Sequence, residues 1–347
     1  MVGLSDRPAD QFQQRPQPLT GDISEQAAGL PPRTTPNGCR VSVIIPCYNS
    51  ATTLPRAVRS AAQQTMREIE ILIVDDSSRD DSLAAARSLA DTDPRVHVIA
   101  LAANRGKPHA MNLAIARASG EWVAVLDADD WYEPDRLDTL VTTAEMRSVS
   151  MVADNQQFWD AGAGVMVRTA FSPERGDHLL DKQAFIDGSD PYAGFDFGML
   201  KPIVRSECIR RLALSYRESA RLSEDFLYLT DFFAAGECGW LVGKPLYNWT
   251  QSFGSISRQW TSTGAGDWRY DYRSALASYA DALGTLACRD MSLADMLHAR
   301  MRAFQRLERI SAISRLHKSG AGLSRLVLEA ARHPSIWPAL LSRLLRA

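Results

Sequence analysis

The sequence is poor in the features that mark a metal knuckle, a redox centre or a membrane span. Its five cysteines, Cys39, Cys47, Cys208, Cys238 and Cys288, are odd in number and widely spread. No two have the C-x-x-C spacing of a zinc knuckle or a dithiol motif, and a reducing compartment fits them best. No apolar run approaches the roughly 20 residues needed to cross a bilayer. The opening stretch MVGLSDRPADQFQQRPQPL lacks the apolar core of a secretory signal. From these readings the folded body is expected in the cytoplasm. No G-x-G-x-x-G follows the first apolar run and no G-x-x-x-x-G-K-[ST] occurs anywhere, which disfavours nicotinamide and P-loop chemistry. Charge of neither sign dominates: 39 Lys and Arg face 41 Asp and Glu, a formal net of -2. No global field therefore points to nucleic acid.

What is present is an ordinary globular composition, 45% hydrophobic and 23% charged over 347 residues. That length suits one large domain, or one domain with an appendage. Residues 1–38, rich in Pro, Gln, Gly and Thr, are expected to be a disordered leader. From Val41 the pattern alternates. Apolar runs at 41–45, 69–74, 96–101 and 122–126 read as buried strands. Helices are predicted over 52–64, 80–91 and 107–118, and another begins at Pro134. Repeated strand–helix–strand units predict an α/β fold with a mostly parallel central sheet flanked by helices. Residues 151–262 are less regular, with strand candidates at 151–153, 164–167, 201–204 and 240–243. A helix is expected over 223–235, with Ser223 as N-cap. Residues 263–347 read as a helical C-terminal extension.

In open α/β sheets, ligands bind beyond the carboxyl ends of the strands. The loops there hold Pro46, Tyr48 and Asn49; then Asp75, Asp76, Ser77 and Ser78; then Asn104 to His109; then Asp127, Asp129 and Asp130. Acids crowded on one edge repel unless a cation or hydrogen-bond donors hold them, and a hard divalent ion with a diphosphate would do so. Asp80 and Asp81 read as helix-start acids. Asp225, taken alone, is equally an acid in the first turn of its own helix.

The strings VSVIIPCYNSATTLPRAVRSAAQQT, EILIVDDSSRDDS and NRGKPHAMNLAIARASGEWVAVLDADDWYEPDRL, in this order and spacing, resemble the family 2 inverting glycosyltransferases of the GT-A fold. Downstream, FDFGMLKPIV, LSEDFLYL and YNWTQSFGSISR resemble bacterial exopolysaccharide glucosyltransferases of the succinoglycan type. The resemblance implies a catalytic domain over 39–262, with a nucleotide-binding half over about 41–150 and an acceptor half over about 151–262. It implies a UDP-sugar donor, a saccharide acceptor that is lipid-linked, and Mg²⁺ or Mn²⁺. Asp76 would hydrogen-bond the uracil, with Pro46 and Tyr48 lining that pocket. Asp127 and Asp129 match the D-x-D element, Asp129 on the metal and Asp127 on the ribose or metal. Arg105 and Lys107 stand where basic nucleotide contacts occur, and Asp225 matches the catalytic base. The roles agree with the chemistry, since a sugar hydroxyl needs a carboxylate to take its proton and a departing diphosphate needs cationic stabilisation.

Other features are less specific. Arg258, in a Gly-Ser loop, would reach the phosphates, or stand on the surface. His109 is a diphosphate contact or a helix-start residue, and Asp130 a loop or capping residue. Lys201 and Asp154 would face the acceptor. Trp249 and Trp260 would stack on a sugar, or fill core. From Met291 onward ten Lys or Arg face three Asp or Glu, and residues 336–346 mix apolar and cationic side chains at helical spacing. That segment is either a packed helix or a peripheral contact with the inner membrane. Three alternatives stand beside a hexosyltransferase with UDP-glucose as the donor that the resemblance favours: a transferase for another sugar, a nucleotidyltransferase, although the basic Gly-rich phosphate loop is missing, and a catalytically inactive relative that binds saccharide or scaffolds a complex.

Overall fold

The computed structural model describes residues 38–192, 195–220, 222–251, 272–286 and 290–318. Arg258, Trp260 and the 336–346 segment lie outside the described residues. In chain order the elements are β1 (Val41–Cys47), α1 (Leu54–Ala62), β2 (Ile69–Asp75), α2 (Ser82–Thr92), β3 (Val96–Ala100), α3 (Lys107–Arg117), β4 (Trp122–Val125), β5 (Trp131–Tyr132), α4 (Arg136–Arg147), β6 (Met151–Asp160), β7 (Val165–Thr169), β8 (His178–Leu180), α5 (Lys182–Gly188), β9 (Ile203–Arg205), α6 (Ser206–Leu212), α7 (Glu224–Ala234), β10 (Gly239–Gln251), α8 (Tyr272–Leu286) and α9 (Met291–Lys318). Short 3₁₀ turns occupy Pro173–Arg175 and Phe197–Met199.

The sheet runs β3-β2-β1-β4-β9-β6-β10-β5, with β7 beside β6 and β8 beside β10. Strands β1 to β4 are parallel, so their carboxyl ends share one edge. They are apolar runs because both faces are covered: Val43, Ile44, Ile71, Leu72 and Ala124 are fully buried. α1 presents Leu54, Ala57, Val58 and Ala61 to this layer at helical spacing. β9 then enters antiparallel to both β4 and β6 and turns the sheet toward the second half. β10 runs parallel to β6 along its whole length.

The expected α/β sheet is present, with three local differences. β10 continues to Gln251 rather than stopping at Gly243. Its register shifts on either side of Pro245, so Lys244-Pro245 breaks the apolar run without ending the strand. α2 begins at Ser82, because Asp80 accepts hydrogen bonds from the Ser82 N–H and hydroxyl and from the Ala51 N–H. Ser223 precedes α7 but its hydroxyl does not cap the helix. The residue is left-handed, at φ +62°, and its Oγ accepts from Tyr279 Oη at 2.6 Å.

α8 and α9 pack together, Tyr272 and Tyr279 meeting Phe304 edge-on. They dock on the body through Tyr279 against Phe226 and a buried ion pair, Arg300 Nη2 to Asp196 Oδ2 at 2.6 Å. No described helix is long and apolar enough to cross a membrane.

Candidate active site

The first two strand-end loops lock together. The Asn49 N–H donates to Ser78 Oγ, the Arg79 N–H donates to Asn49 Oδ1, and the Ser78 N–H donates to Asp75 Oδ2. Asn49 and Ser77 both adopt left-handed backbone, at φ +50° and +58°. Such conformations cost energy, and surrounding contacts must hold them. The result turns Pro46, Tyr48 and Asp76 onto the carboxyl edge of the sheet.

Asp76 is buried and ties in the third loop. Its two oxygens accept from the Arg105 and Gly106 N–H groups, each at 2.7 Å, and its carbonyl accepts from Asn104 Nδ2. Gly106 sits at φ +91°, which favours glycine, and this turn aims its N–H at the carboxylate. α3 starts at the next residue, so Lys107 is fixed at the edge.

The fourth loop is anchored by its last acid. Asp130 is fully buried; Oδ2 accepts from Tyr247 Oη at 2.7 Å and Oδ1 from the Thr250 N–H at 2.7 Å. Asp130 is the loop residue that the sequence suggests, and it also clamps the acid run to β10. The Asp129 carbonyl accepts from Arg56, which stacks over Trp131, and from Thr250 Oγ1. With its backbone pinned, the loop presents Asp127 and Asp129 as side chains.

Two lysines join Asp127 to Asp225, almost a hundred residues away. Lys107 Nζ lies 2.9 Å from Asp127 Oδ1, 3.1 Å from Glu224 Oε1 and 3.3 Å from Asp225 Oδ2. Lys201 Nζ lies 2.8 Å from Asp127 Oδ2 and 2.6 Å from Asp225 Oδ2. Burial alone would raise both aspartates, but Lys107 and Lys201 outweigh it and hold both carboxyls below their ordinary value. Burial would likewise lower the lysines, but the carboxylates, led by Asp127 and Asp225, push both up. Glu224 is raised by burial and by Asp225, against the pull of Lys107. Asp129 is raised by burial and by Asp127, and Asp130 well above the carboxylate range by burial, Asp129 and Asp127.

The arrangement therefore has more carboxylates than cations. Asp129 makes no ion pair among the described residues, although it is half-buried beside Asp127. No three His, Cys, Asp or Glu side chains converge as a cage among the described residues. Asp129 has oxygens to offer a hard cation such as Mg²⁺ or Mn²⁺, whereas each Asp127 oxygen holds a lysine that a cation would have to displace.

Of the residues singled out in the sequence, Asp127, Lys107 and Asp225 meet in one cluster. Asp129 stands in the same loop as Asp127, and Asp76 holds the loop that carries Lys107. Arg105 turns to Glu218, at 3.7 Å. Tyr48 is exposed on the edge and Pro46 half-buried. Lys201 is in the cluster itself. One reading changes, that of Asp154, and two open alternatives are decided, Trp249 as core and His109 as a helix-start residue. Asp154 is buried in a bidentate pair with Arg136 under the sheet and does not face an acceptor. Trp249 packs on Phe158 at 4.7 Å as core. His109 is fully buried, its Nδ1 bonded to Glu218 Oε1 at 3.0 Å. Glu224 and Glu218 are the participants that the sequence reading missed. Glu224 adjoins Asp225 and looked like a first-turn acid, while Glu218 lies in a loop that carries no motif.

The comparisons with known proteins bear on the family and the fold. The profile described as glycosyl transferase family 2 matches residues 42–203. The succinoglycan biosynthesis protein ExoO of Rhizobium meliloti (strain 1021) is 32% identical over 268 residues, 76% of this chain and 74% of its own length. ExoU of the same organism, also a succinoglycan biosynthesis protein, is 34% identical over 54% of each chain. Among solved structures, S. aureus TarS 1-349 in complex with UDP-GlcNAc superposes with a TM-score of 0.58 at 19% identity, over 86% of this chain and 88% of that one. The mannosyltransferase PcManGT of Pyrobaculum calidifontis, in complex with GDP-Man and Mn²⁺, superposes with a TM-score of 0.51 at 19% identity, over 90% and 85%. The fold is thus of the GT-A kind, with a central sheet flanked by helices. Together, the strand-end loops, the acid run and these similarities make the chain a member of glycosyltransferase family 2.

Proposed function

We propose that this protein transfers a hexose, with glucose the favoured sugar, from a UDP-sugar to a hydroxyl of a lipid-linked saccharide, inverting the anomeric carbon. The product would enter an exopolysaccharide or another surface glycan. The observation that carries the reading is the convergence of Asp225 with Asp127 through Lys107 and Lys201. It sets a proton acceptor beside the acids that would hold a diphosphate. The succinoglycan relatives and the UDP-GlcNAc bound to TarS support the product class and the donor. The Mn²⁺ beside GDP-Man in the mannosyltransferase supports a divalent ion here.

In this reading the uracil sits at Asp76, with Pro46 and Tyr48 beside it. Each Asp76 oxygen accepts one backbone N–H, so each keeps a lone pair for a base N–H. Asp129 and Asp127 would hold Mg²⁺ or Mn²⁺, which when bound neutralises charge on the leaving diphosphate. Lys107, with Arg105 and Arg258 as further basic contacts, would meet the same phosphates. A diphosphate drawing Lys107 and Lys201 away from Asp225 strengthens that carboxylate's hold on a proton. Asp225 can then accept the acceptor's hydroxyl proton as the sugar–phosphate bond breaks. Residues 39–262 would form the catalytic domain. The 263–347 extension would meet the cytoplasmic face of the inner membrane, where lipid-linked acceptors lie.

The test is transfer assayed across a panel of nucleotide sugars with Mg²⁺ and with Mn²⁺. Turnover with UDP-glucose above other donors is expected. No turnover with any donor would overturn the enzymatic reading.

A further inference from the structure

The β6–β7 hairpin has a surface that the transfer reaction does not use. Past Asp160 come Ala161, Gly162, Ala163, Gly164, Val165, Met166 and Val167: seven successive exposed residues without one polar side chain. A strand with one covered face alternates buried and exposed positions. Here Val165, Met166 and Val167 are 53%, 47% and 55% exposed, so both faces of β7 are bare. The turn is nevertheless well braced. Asp160 Oδ1 accepts from the Gly162 and Ala163 N–H groups at 2.8 and 3.1 Å, and the Gly164 N–H donates to the Asp160 carbonyl at 2.8 Å.

The base of the hairpin has a different chemistry. Arg168 follows the apolar run directly and stacks on Phe158 at 4.0 Å. Trp159 is half-buried, tilted against Trp131 at 5.3 Å, with its ring N–H on Asn248 Oδ1. The hairpin also extends the part of the sheet that bears the acid run. Thr250 of β10 binds Asp130, and the next residue, Gln251, accepts from the Ala161 N–H.

We propose that this hairpin tip inserts into the interfacial layer of a phospholipid bilayer. Exposed apolar runs on an edge strand invite aggregation unless something covers them. A second copy adding a strand along β7 would pair its backbone edge and leave both side-chain faces bare. A bilayer covers the tip on all sides at once. Arg168 then stands at headgroup depth, and the two tryptophans lie where amphipathic rings collect. Insertion would bring the strand-end edge toward the membrane surface. The inference stands apart from the donor and acceptor assignments, because lipid binding requires neither.

The experiment is sedimentation of the full chain with vesicles of equimolar phosphatidylcholine and phosphatidylglycerol. Combined Val165→Ser, Met166→Ser and Val167→Ser should weaken partitioning by about tenfold or more. These side chains are exposed, so the thermal midpoint should hold. Met166→Trp should tighten binding. Equal partitioning of the wild type and the triple variant would overturn the proposal and place any membrane contact elsewhere, the basic tail included. Failure of the wild type to bind would overturn it too. So would self-association lost in the triple variant without a change in vesicle binding, which would identify a second copy as the occupant.

Discussion

Arg136 with Asp154 and Lys107 with its carboxylates are two ionic clusters built to opposite plans, the first buried and the second partly open. Arg136 and Asp154 are one cation and one anion, with side chains 0% and 1% exposed. Arg136 donates to both carboxylate oxygens and lies against the rings of Tyr132 and Tyr247. Both carboxylate oxygens are taken, and of the guanidinium only the buried Nη1 makes no hydrogen bond. At the sheet edge two lysines share Asp127, Asp225 and Glu224, and Asp129 stands beside them. There the anions outnumber the cations and solvent reaches in. The difference separates structure from chemistry: the closed pair fixes the backbone, while the open cluster is ready to exchange partners. The two are connected, because Arg136 Nη2 also donates to the Lys201 carbonyl.

That contrast can be broken at either end. Asp225→Asn should lower transfer by about 10²–10⁴-fold, the usual contribution of a positioned general base. UDP affinity, read by titration calorimetry, should change little. Turnover near the wild-type level would remove Asp225 from its role. Arg136→Met should have the largest effect on stability. Removing one partner of a buried pair leaves an uncompensated charge and costs about 3–5 kcal/mol. Urea unfolding measures this, and a loss of under about 1 kcal/mol would mean that the pair is not buried as described.

Lys201→Met tests the bridge between the clusters. A hydrogen bond to a charged group contributes about 1.5–3 kcal/mol, so transfer should fall roughly ten- to a hundredfold, with a smaller stability change than Arg136→Met produces. The smallest effect concerns pH. Asp225 has a folded pKa below its unfolded value of about 3.9, so its stabilisation is present above that value and is lost as pH falls from there through the lower folded pKa. Asp154 is raised, by burial against the pull of Arg136, and its sign is opposite. Between about pH 5 and pH 3, the thermal midpoint of Asp225→Asn should therefore fall less than that of the wild type, and Asp154→Asn should not flatten the curve. Parallel curves for both variants would mean that the lysines do not discriminate between the two acids.

Much of the first half of the molecule was legible because its strands are covered on both faces. Such strands are unbroken apolar runs, and the loops between them hold the acids. Asp76, Asp127 and Asp129 could be placed on one edge from spacing alone. The second half resisted because its pairings are non-local. β9 is three residues long and reverses direction, and β10 passes through irregular register beside Pro245. Asp154 was misread for the same reason: its partner Arg136 lies on α4, and only the folded packing closes that pair. Glu224 was hidden by its position, since an acid in a helix's first turn needs no further explanation. Nothing local could tell that α7 points its first turn at Lys107.

The short stretch from Arg105 to Lys107 links two sites. Asp76 grips the Arg105 and Gly106 amides at one end, and the Lys107 ammonium touches Asp225 at the other. If Asp76 holds the base and Asp225 takes the proton, as proposed, a base pulling on Asp76 would tilt this stretch and shift the charge resting on Asp225. A sugar diphosphate stripped of its uracil should accordingly lose turnover and not affinity alone, since the grip on one end of the donor is spent at the other.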